Sequence, residues 1–296
     1  MSEFGMIPPT SLELLLNEPI SKHTTFGIGG NAKYFVRVSN TNELLQIINF
    51  CIKEKIRYFV LGSGSNVLFS DAPFSGIVIK LECEFNDVFI NGQSVVAGAG
   101  AQLSLVVRKA AENGLAGFEF ASAIPGTVGG AVFGNAGTKD EWISGVLQNV
   151  SAVLKDGSQQ TFQRSEMQFA YRTCAIEDGT CFTQAVFGLK TGVKNDILQK
   201  IKDFALKKSV NQPLGTKNAG SIFKNPAGAF AGRLIEQAGL KGFSVGGARI
   251  SSVHANFIIN ENNASAADIL ALIEITKDKV FKKFNIKLET EIKIVE

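Results

Sequence analysis

Arg57-Tyr58-Phe59-Val60-Leu61-Gly62-Ser63-Gly64-Ser65-Asn66-Val67-Leu68-Phe69 decides how the amino-terminal half is read. Two apolar runs, 57–61 and 67–69, predict extended backbone on either side of a turn made of glycine, serine and asparagine. Where a strand enters such a loop, residues without a Cβ let several backbone N–H groups converge on one anion. The dinucleotide fingerprint needs a third glycine and a helix directly after it, and the P-loop needs Gly-Lys-Ser/Thr, so both are excluded. What remains is a phosphate cradle of another kind, or a tight turn between strands.

Outward from this loop the chain alternates short strands and helices. Residues 34–38 predict a strand and 43–55 a helix, because Leu44, Ile48, Cys51 and Ile52 recur at helical spacing. Strands follow at 76–81 and 94–97, then a helix at 103–113 with Leu103, Val106, Val107 and Ala110 on one face. The composition then changes. Ala123-Ile124-Pro125-Gly126-Thr127-Val128-Gly129-Gly130-Ala131 leads to Asn135-Ala136-Gly137, with five glycines from Gly126 to Gly137. Glycine costs backbone entropy in either a helix or a strand. Either something flat or charged lies against this backbone, or the segment is a buried crossover packed against its own protein.

Lys155-Asp156-Gly157 marks a hairpin between strands at 149–154 and 160–163, and 182–189 predicts the strand that closes this half. Between them stands Tyr171-Arg172, a pair that by itself is usually surface. A helix over 195–208, with Ile197, Ile201, Phe204 and Ala205 inward, makes a natural boundary, giving expected domains of 20–193 and 194–296. Beyond it, Gly220-Ser221-Ile222-Phe223-Lys224-Asn225-Pro226 sets a hydroxyl, an ammonium and a carboxamide within five residues in a stretch of no regular period. A helix at 230–238, ended by Lys241-Gly242, precedes His254-Ala255-Asn256 and an apolar strand at 257–259. A histidine beside a buried strand is more often a satisfied structural group than a ligand contact. Ser265 and Asp268 predict a capping box for a last helix reaching about Phe284. Residues 286–294 alternate as a strand, with Lys287, Glu289, Glu291 and Lys293 sharing a face, and periodicity selects neither glutamate.

The whole chain has 296 residues, 45% of them hydrophobic, enough for two domains of ordinary size. Its formal charge of +3 comes from 30 basic and 27 acidic residues that are interspersed, which argues against nucleic acid and for a small anionic ligand. No apolar run approaches the roughly 20 residues of a membrane span, and no signal segment opens the chain, so cytoplasmic localisation is expected. Cys51, Cys83, Cys174 and Cys181 form no C-x-x-C pair and His23 and His254 lie far apart, which suggests neither disulfides nor a metal site. Residues 1–5 precede a second methionine, Met6, and read as an expression remnant without a role in the fold.

Taken together, these segments resemble the UDP-N-acetylenolpyruvoylglucosamine reductases (the MurB family). The match runs from His23-Thr24-Thr25-Phe26-Gly27-Ile28-Gly29-Gly30 to Leu288-Glu289-Thr290-Glu291-Ile292, through 61–66, 125–130, 135–137, Tyr171-Arg172, 220–226 and 254–257. The resemblance implies an α+β protein, with an FAD-binding domain of the vanillyl-alcohol-oxidase (PCMH) type followed by a smaller α+β domain that closes over substrate. Gly62, Ser63, Gly64, Ser65 and Asn66 would hold the FAD pyrophosphate. Pro125, Gly126, Thr127, Gly129, Gly130, Asn135 and Gly137 would line the flavin.

It further implies hydride transfer from NADPH to FAD and on to the enolpyruvyl group of a UDP-sugar, with no obligate protein partner. Arg172 and Glu291, the latter on the last strand, would meet the enolpyruvyl carboxylate. A second anion there opposes enolate formation unless Glu291 is protonated or held by Arg172. Ser221 would protonate the enolate, with Lys224 sharing the charge. Tyr171, Lys224, Gln237, His254 and Asn256 would contact the substrate or its nucleotide. The short stretch 173–189 carries no tyrosine, which points to the subclass without a tyrosine-bearing loop. Thr138-Lys139-Asp140, Cys174, Thr290 and Lys293 depart from the family's usual residues and remove no catalytic group.

Overall fold

The computed structural model describes residues 12–296, so residues 1–5 lie outside the described part. The chain divides into two compact units that are not consecutive in sequence. Of the described residues, one unit comprises those up to Asn17, Lys33–Gly62 and Ser75–Leu206; the other comprises Glu18–Ala32, Ser63–Phe74 and Lys207–Glu296. This differs from the expected 20–193 and 194–296. Two amino-terminal stretches pack with the carboxyl-terminal part, and the helix Lys194–Asn211 is cut at Leu206. Ala205, expected inward, is exposed, and only Ile197 of that helix is fully buried.

The first unit is built on two sheets. In one, the strands Glu13–Pro19, Asn31–Val38, Phe74–Leu81 and Tyr58–Val60 lie side by side in that order. In the other, the order is Gln159–Gln163, Leu147–Val153, Cys181–Gly188, Ser94–Gly98 and Val88–Asn91, antiparallel throughout. Helix Thr41–Glu54 starts where Asn40 accepts the Glu43 N–H at 3.0 Å and Glu43 accepts the Ser39 N–H at 2.7 Å. It ends at Lys55 in the left-handed region, φ 55°. Its apolar stripe, Leu44, Ile47, Ile48 and Cys51, joins one core with Leu103, Val106 and Val107 of helix Leu103–Glu112. Packing of this stripe, more than local propensity, holds such a helix in place.

The second unit has its own core, in which Phe26, Ile28, Leu68, Ile222, Phe223 and Leu272 all take part. Helix Ala266–Phe284 carries the expected capping box of Ser265 and Asp268 and ends at Asn285 with φ 56°. A second cap comes from far away in sequence: Asp71 accepts the Ala266 and Ala267 N–H groups at 2.8 and 3.2 Å. Helix Ala231–Gln237 stops at Gly239, φ 76°, before the expected Lys241-Gly242. The long final strand expected over 286–294 is reduced to Lys293–Val295, which pairs in parallel with Val67–Phe69. The residues before it give their hydrogen bonds to two different neighbours in turn, so no continuous ladder forms.

Candidate active site

The strand Tyr58–Val60 runs parallel to Phe74–Leu81, and the chain leaves that sheet at Gly62. Gly62 has no room for a side chain, because a Cβ would lie 2.6 Å from Thr127 Oγ1. Its carbonyl accepts a hydrogen bond from Lys80, whose ammonium burial holds below its usual pKa. Gly64, with φ 64°, is excluded from bearing a side chain by the His23 carbonyl, 2.2 Å from where a Cβ would stand. Asn66 turns the chain into Val67–Phe69: its carbonyl accepts the Lys293 N–H at 3.0 Å, and its side chain donates to Glu291 O at 3.2 Å. As expected, no helix follows this loop.

The second glycine segment forms a short helix, Val128–Phe133, despite the backbone entropy that its glycines cost. Thr127 caps it, accepting the Gly130 N–H at 3.4 Å. Gly129 packs against Ala99, whose Cβ would be 3.1 Å from an added methyl, and Gly137 against the Glu141 carbonyl at 2.4 Å. The protein's own backbone therefore demands Gly137, while Gly129 sits tightly against Ala99. Gly130 differs: it is exposed, and the nearest atom to an added Cβ would be Thr127 Oγ1 at 3.6 Å. Pro125 is also exposed, and Gly126 is half-buried. Close by in sequence, Ser122 Oγ is shut off from solvent and makes no hydrogen bond among the described residues. Composition gave no reason to single out Ser122 or Lys80; an unsatisfied buried hydroxyl is visible only in three dimensions.

Tyr171 and Arg172 occupy the tip of a two-residue turn, closed by Ala170 N to Thr173 O at 3.0 Å and Thr173 N to Ala170 O at 3.3 Å. Arg172 has φ 58°, an uncommon conformation for a residue with a long side chain. Its guanidinium donates to the Gly137 carbonyl at 3.1 Å and lies 5.5 Å from the Trp142 ring and 5.7 Å from the Tyr171 ring. Asn135, buried, donates to Ala170 O at 2.9 Å and accepts the Ser144 N–H at 3.2 Å. Asn135 and Gly137 thus hold the Arg172 turn, whatever else they touch.

In the second unit Ser221 follows Gly220, φ 74°, and precedes the buried pair Ile222 and Phe223. Both edges of this segment are hydrogen-bonded. On one side Glu291 N donates to Ile222 O at 2.7 Å and Lys224 N to Glu289 O at 2.9 Å. On the other Ile222 N donates to Asn256 O at 2.8 Å. Asn218 accepts the Gly220 N–H at 2.9 Å and fixes the entry. Main-chain bonds therefore tie Ile222 and Lys224, on the segment that carries Ser221, to Glu291, Glu289 and Asn256, and Asn256 N in turn reaches the His254 ring. The Lys224 ammonium also lies 3.6 Å from the exposed Glu289 carboxylate.

His254 is half-buried; its ring meets Phe257 edge-on at 5.0 Å, and its Nδ1 accepts the Asn256 N–H at 3.1 Å. That bond assigns the ring proton to Nε2. Burial, and then the nearby Lys241 ammonium, push its pKa below the usual value. Asn256 is buried with both amide atoms engaged: Oδ1 accepts the Phe223 N–H at 3.0 Å and Nδ2 donates to Phe223 O at 2.8 Å. Gln237 is exposed, and its carbonyl accepts from Lys283 at 2.6 Å. Among the described residues, no three His, Cys, Asp or Glu side chains gather as metal ligands. No helix among them is long and apolar enough to cross a membrane.

Residues 32–163 match the family described as FAD binding domain. A glucose oxidase, a Phl p 4 variant, is 16% identical and superposes with a TM-score of 0.50 over 64% of this chain and 43% of its own, a likeness of fold alone. The fold is α+β with an FAD-binding domain of the vanillyl-alcohol-oxidase type, and the chain is an FAD-dependent oxidoreductase. The exposed Gly130 and Pro125 and the unsatisfied Ser122 hydroxyl fit that cofactor, which needs close backbone approach and hydrogen bonds at a ring edge.

Residues 212–295 match the carboxyl-terminal domain of UDP-N-acetylenolpyruvoylglucosamine reductase. The reductase of Clostridium kluyveri is 39% identical over 284 residues, covering 96% of this chain and 93% of that protein. That of Caldicellulosiruptor bescii is 42% identical over 297 residues, covering 99% and 94%. The crystal structure of the Thermus caldophilus reductase (MurB) is 36% identical and superposes with a TM-score of 0.83 over 96% of this chain and 99% of its own. The chain belongs to the UDP-N-acetylenolpyruvoylglucosamine reductase family.

Proposed function

We propose that this chain reduces UDP-N-acetylglucosamine enolpyruvate to UDP-N-acetylmuramate for bacterial peptidoglycan, with NADPH as the hydride donor. Since its substrates are a nucleotide sugar and NADPH, its compartment is the cytoplasm. FAD, when bound, would supply the two-electron chemistry that links NADPH to the methylene carbon of the enolpyruvyl ether.

The protein's own residues manage charge and protons. Hydride addition leaves negative charge spread over the neighbouring carbon and the carboxylate. Arg172, its guanidinium held between Gly137 O and the Trp142 and Tyr171 rings, is assigned to the substrate carboxylate. Ser221 is assigned as the proton donor to the second carbon, with Lys224 three residues on in its own segment and Glu291 bonded through its N–H to the neighbouring Ile222 carbonyl. A serine hydroxyl is a weak acid, but an enolate is a strong base, so its position decides the rate. Tyr171, Gln237 and His254 are assigned to the substrate and its nucleotide. Gly62 to Asn66 and the stretch from Pro125 to Gly137 are assigned to FAD.

The observation that carries the reading is the fixation of half-buried Ser221, with the Gly220 N–H bonded before it and both backbone groups of Ile222 bonded after it. The test is anaerobic absorbance of the flavoprotein, reduced by one equivalent of NADPH and then mixed with UDP-N-acetylglucosamine enolpyruvate. Rapid return of the oxidised flavin spectrum is expected. A flavin that stays reduced until air is admitted would favour an oxidase and reject the proposal. Ser221→Ala should leave reduction by NADPH intact and slow reoxidation by substrate about 10²-fold or more.

A further inference from the structure

Asn256 makes four hydrogen bonds, and each goes to a neighbour of a residue assigned above or to such a residue itself. Its N–H donates to His254 Nδ1 at 3.1 Å. Its carbonyl accepts from Ile222 N at 2.8 Å. Its carboxamide closes a two-way pair with Phe223, accepting from N at 3.0 Å and donating to O at 2.8 Å. The side chain is buried at 4% exposure, and its carboxamide already serves the backbone of Phe223 on both sides. Oδ1 keeps a second lone pair and Nδ2 a second N–H, but at this burial the carboxamide turns almost nothing to solvent, and the Phe223 pair fixes its plane.

We infer that Asn256 is a positioning residue, not a substrate ligand: it sets the Ser221 hydroxyl and the His254 ring in one register. The carboxamide suits this because it presents one acceptor and one donor side by side, matching the N–H and C=O of a single backbone residue. Asp has two acceptors and would meet the Phe223 carbonyl with negative charge. Ala would leave both Phe223 groups buried without partners. Ser221 lies two residues from Phe223, so a shift there displaces the hydroxyl from the carbon it serves. A displacement of about 1 Å costs up to about 10²-fold in rate.

This inference rests on the reading of Ser221 as proton donor, and the test separates the two. Asn256→Ala and Asn256→Asp are made in the full-length holoenzyme, alone and with Ser221→Ala. Substrate-driven flavin reoxidation is followed over a range of UDP-N-acetylglucosamine enolpyruvate concentrations, and hydrogen–deuterium exchange is followed over residues 218–226. The expected result is a limiting rate about 10- to 100-fold lower, with an apparent substrate dissociation constant changed less than about threefold. Exchange in 222–224 should rise. In Asn256→Asp the ratio of mutant to wild-type rate should recover as pH falls, because a protonated carboxyl again donates to Phe223 O. On the Ser221→Ala background, Asn256→Ala should add little.

A raised dissociation constant with an unchanged limiting rate would make Asn256 a ligand and overturn the inference. A slow Ser221→Ala with a fully additive Asn256→Ala would overturn it while leaving the Ser221 reading intact. A wild-type rate in Ser221→Ala would overturn the reading itself, and the inference with it.

Discussion

Gly232 makes room for His254: a Cβ on Gly232 would stand 2.8 Å from Cε1 of the imidazole and 3.3 Å from Nδ1. The ring is seated on bare backbone at one edge and held by the Asn256 N–H at another. Gly232→Ala should force it to shift, at a cost of about 1–3 kcal/mol for overpacking. If His254 contacts the nucleotide, the KM for the UDP-sugar should rise roughly tenfold while FAD content stays unchanged, as steady-state kinetics and the flavin-to-protein absorbance ratio would show.

The proton on His254 should be lost at lower pH than usual. Its folded pKa lies below the ordinary value of about 6.5, first through burial and then through Lys241. The unfolded chain therefore binds a proton that the folded one refuses as pH falls through about 6.5, and stability decreases in that direction until the folded pKa is passed. NMR titration of the two imidazoles, assigned with His23→Gln, should place the His254 midpoint below 6.5. A midpoint above it would remove the neutral Nε2–H donor from the site.

Ser122 should matter differently with and without cofactor. Its hydroxyl is buried and unsatisfied within the protein. Ser122→Ala should leave the unfolding midpoint of the flavin-free protein the same or higher. Loss of a hydrogen bond to FAD should raise the FAD dissociation constant roughly 5- to 100-fold, read from flavin fluorescence. An unchanged constant would place Ser122 away from the flavin.

Asp71 should stabilise helix Ala266–Phe284 from outside. It accepts the first two free N–H groups of that helix although Ser265 already caps it. Asp71→Ala should cost about 1 kcal/mol, and Asp71→Asn less because one acceptor oxygen survives. Thermal melts of the two variants should show that order.

Thiol labelling should report one accessible cysteine. Cys83 is exposed, whereas Cys51, Cys174 and Cys181 are buried. Burial pushes the thiols of Cys51 and Cys181 up to about 12 and raises that of Cys174, so the reactive thiolate is suppressed in all three. A disulfide-exchange reagent should titrate one fast thiol in the native protein, lost in Cys83→Ser, and four after denaturation.

Local pattern carried most elements. The capping box of Ser265 and Asp268, the helix to Phe284 and the extended Val67–Phe69 were all legible, because each depends on neighbours within a turn or two. The last strand was not. Its alternation is real, since Leu288 and Ile292 are buried, yet its hydrogen bonds go first to Ile222 and then to Asn66. The role of Asn256 was equally hidden, because the partner of its amide is a backbone 33 residues away. The glycines allowed two readings, and both turn on space: Gly129 and Gly137 lack a side chain for the protein's own packing, while Gly130 is open. Resemblance supplied the family, and the family comparisons bear it out.

The parallel pairing of Val67–Phe69 with Lys293–Val295 has a consequence for synthesis on the ribosome. The first of these strands leaves the exit tunnel with its partner 226 residues behind it, since Val67 pairs in register with Lys293. At roughly 5–20 residues per second, that partner arrives about ten to fifty seconds later. Until then Leu68 and Phe69 present an open strand edge to the crowded cell, and the turn from Gly62 to Asn66 lacks the Lys293 bond that holds its far end. Nascent chains should therefore acquire FAD only after release, and should lean on a chaperone until they do.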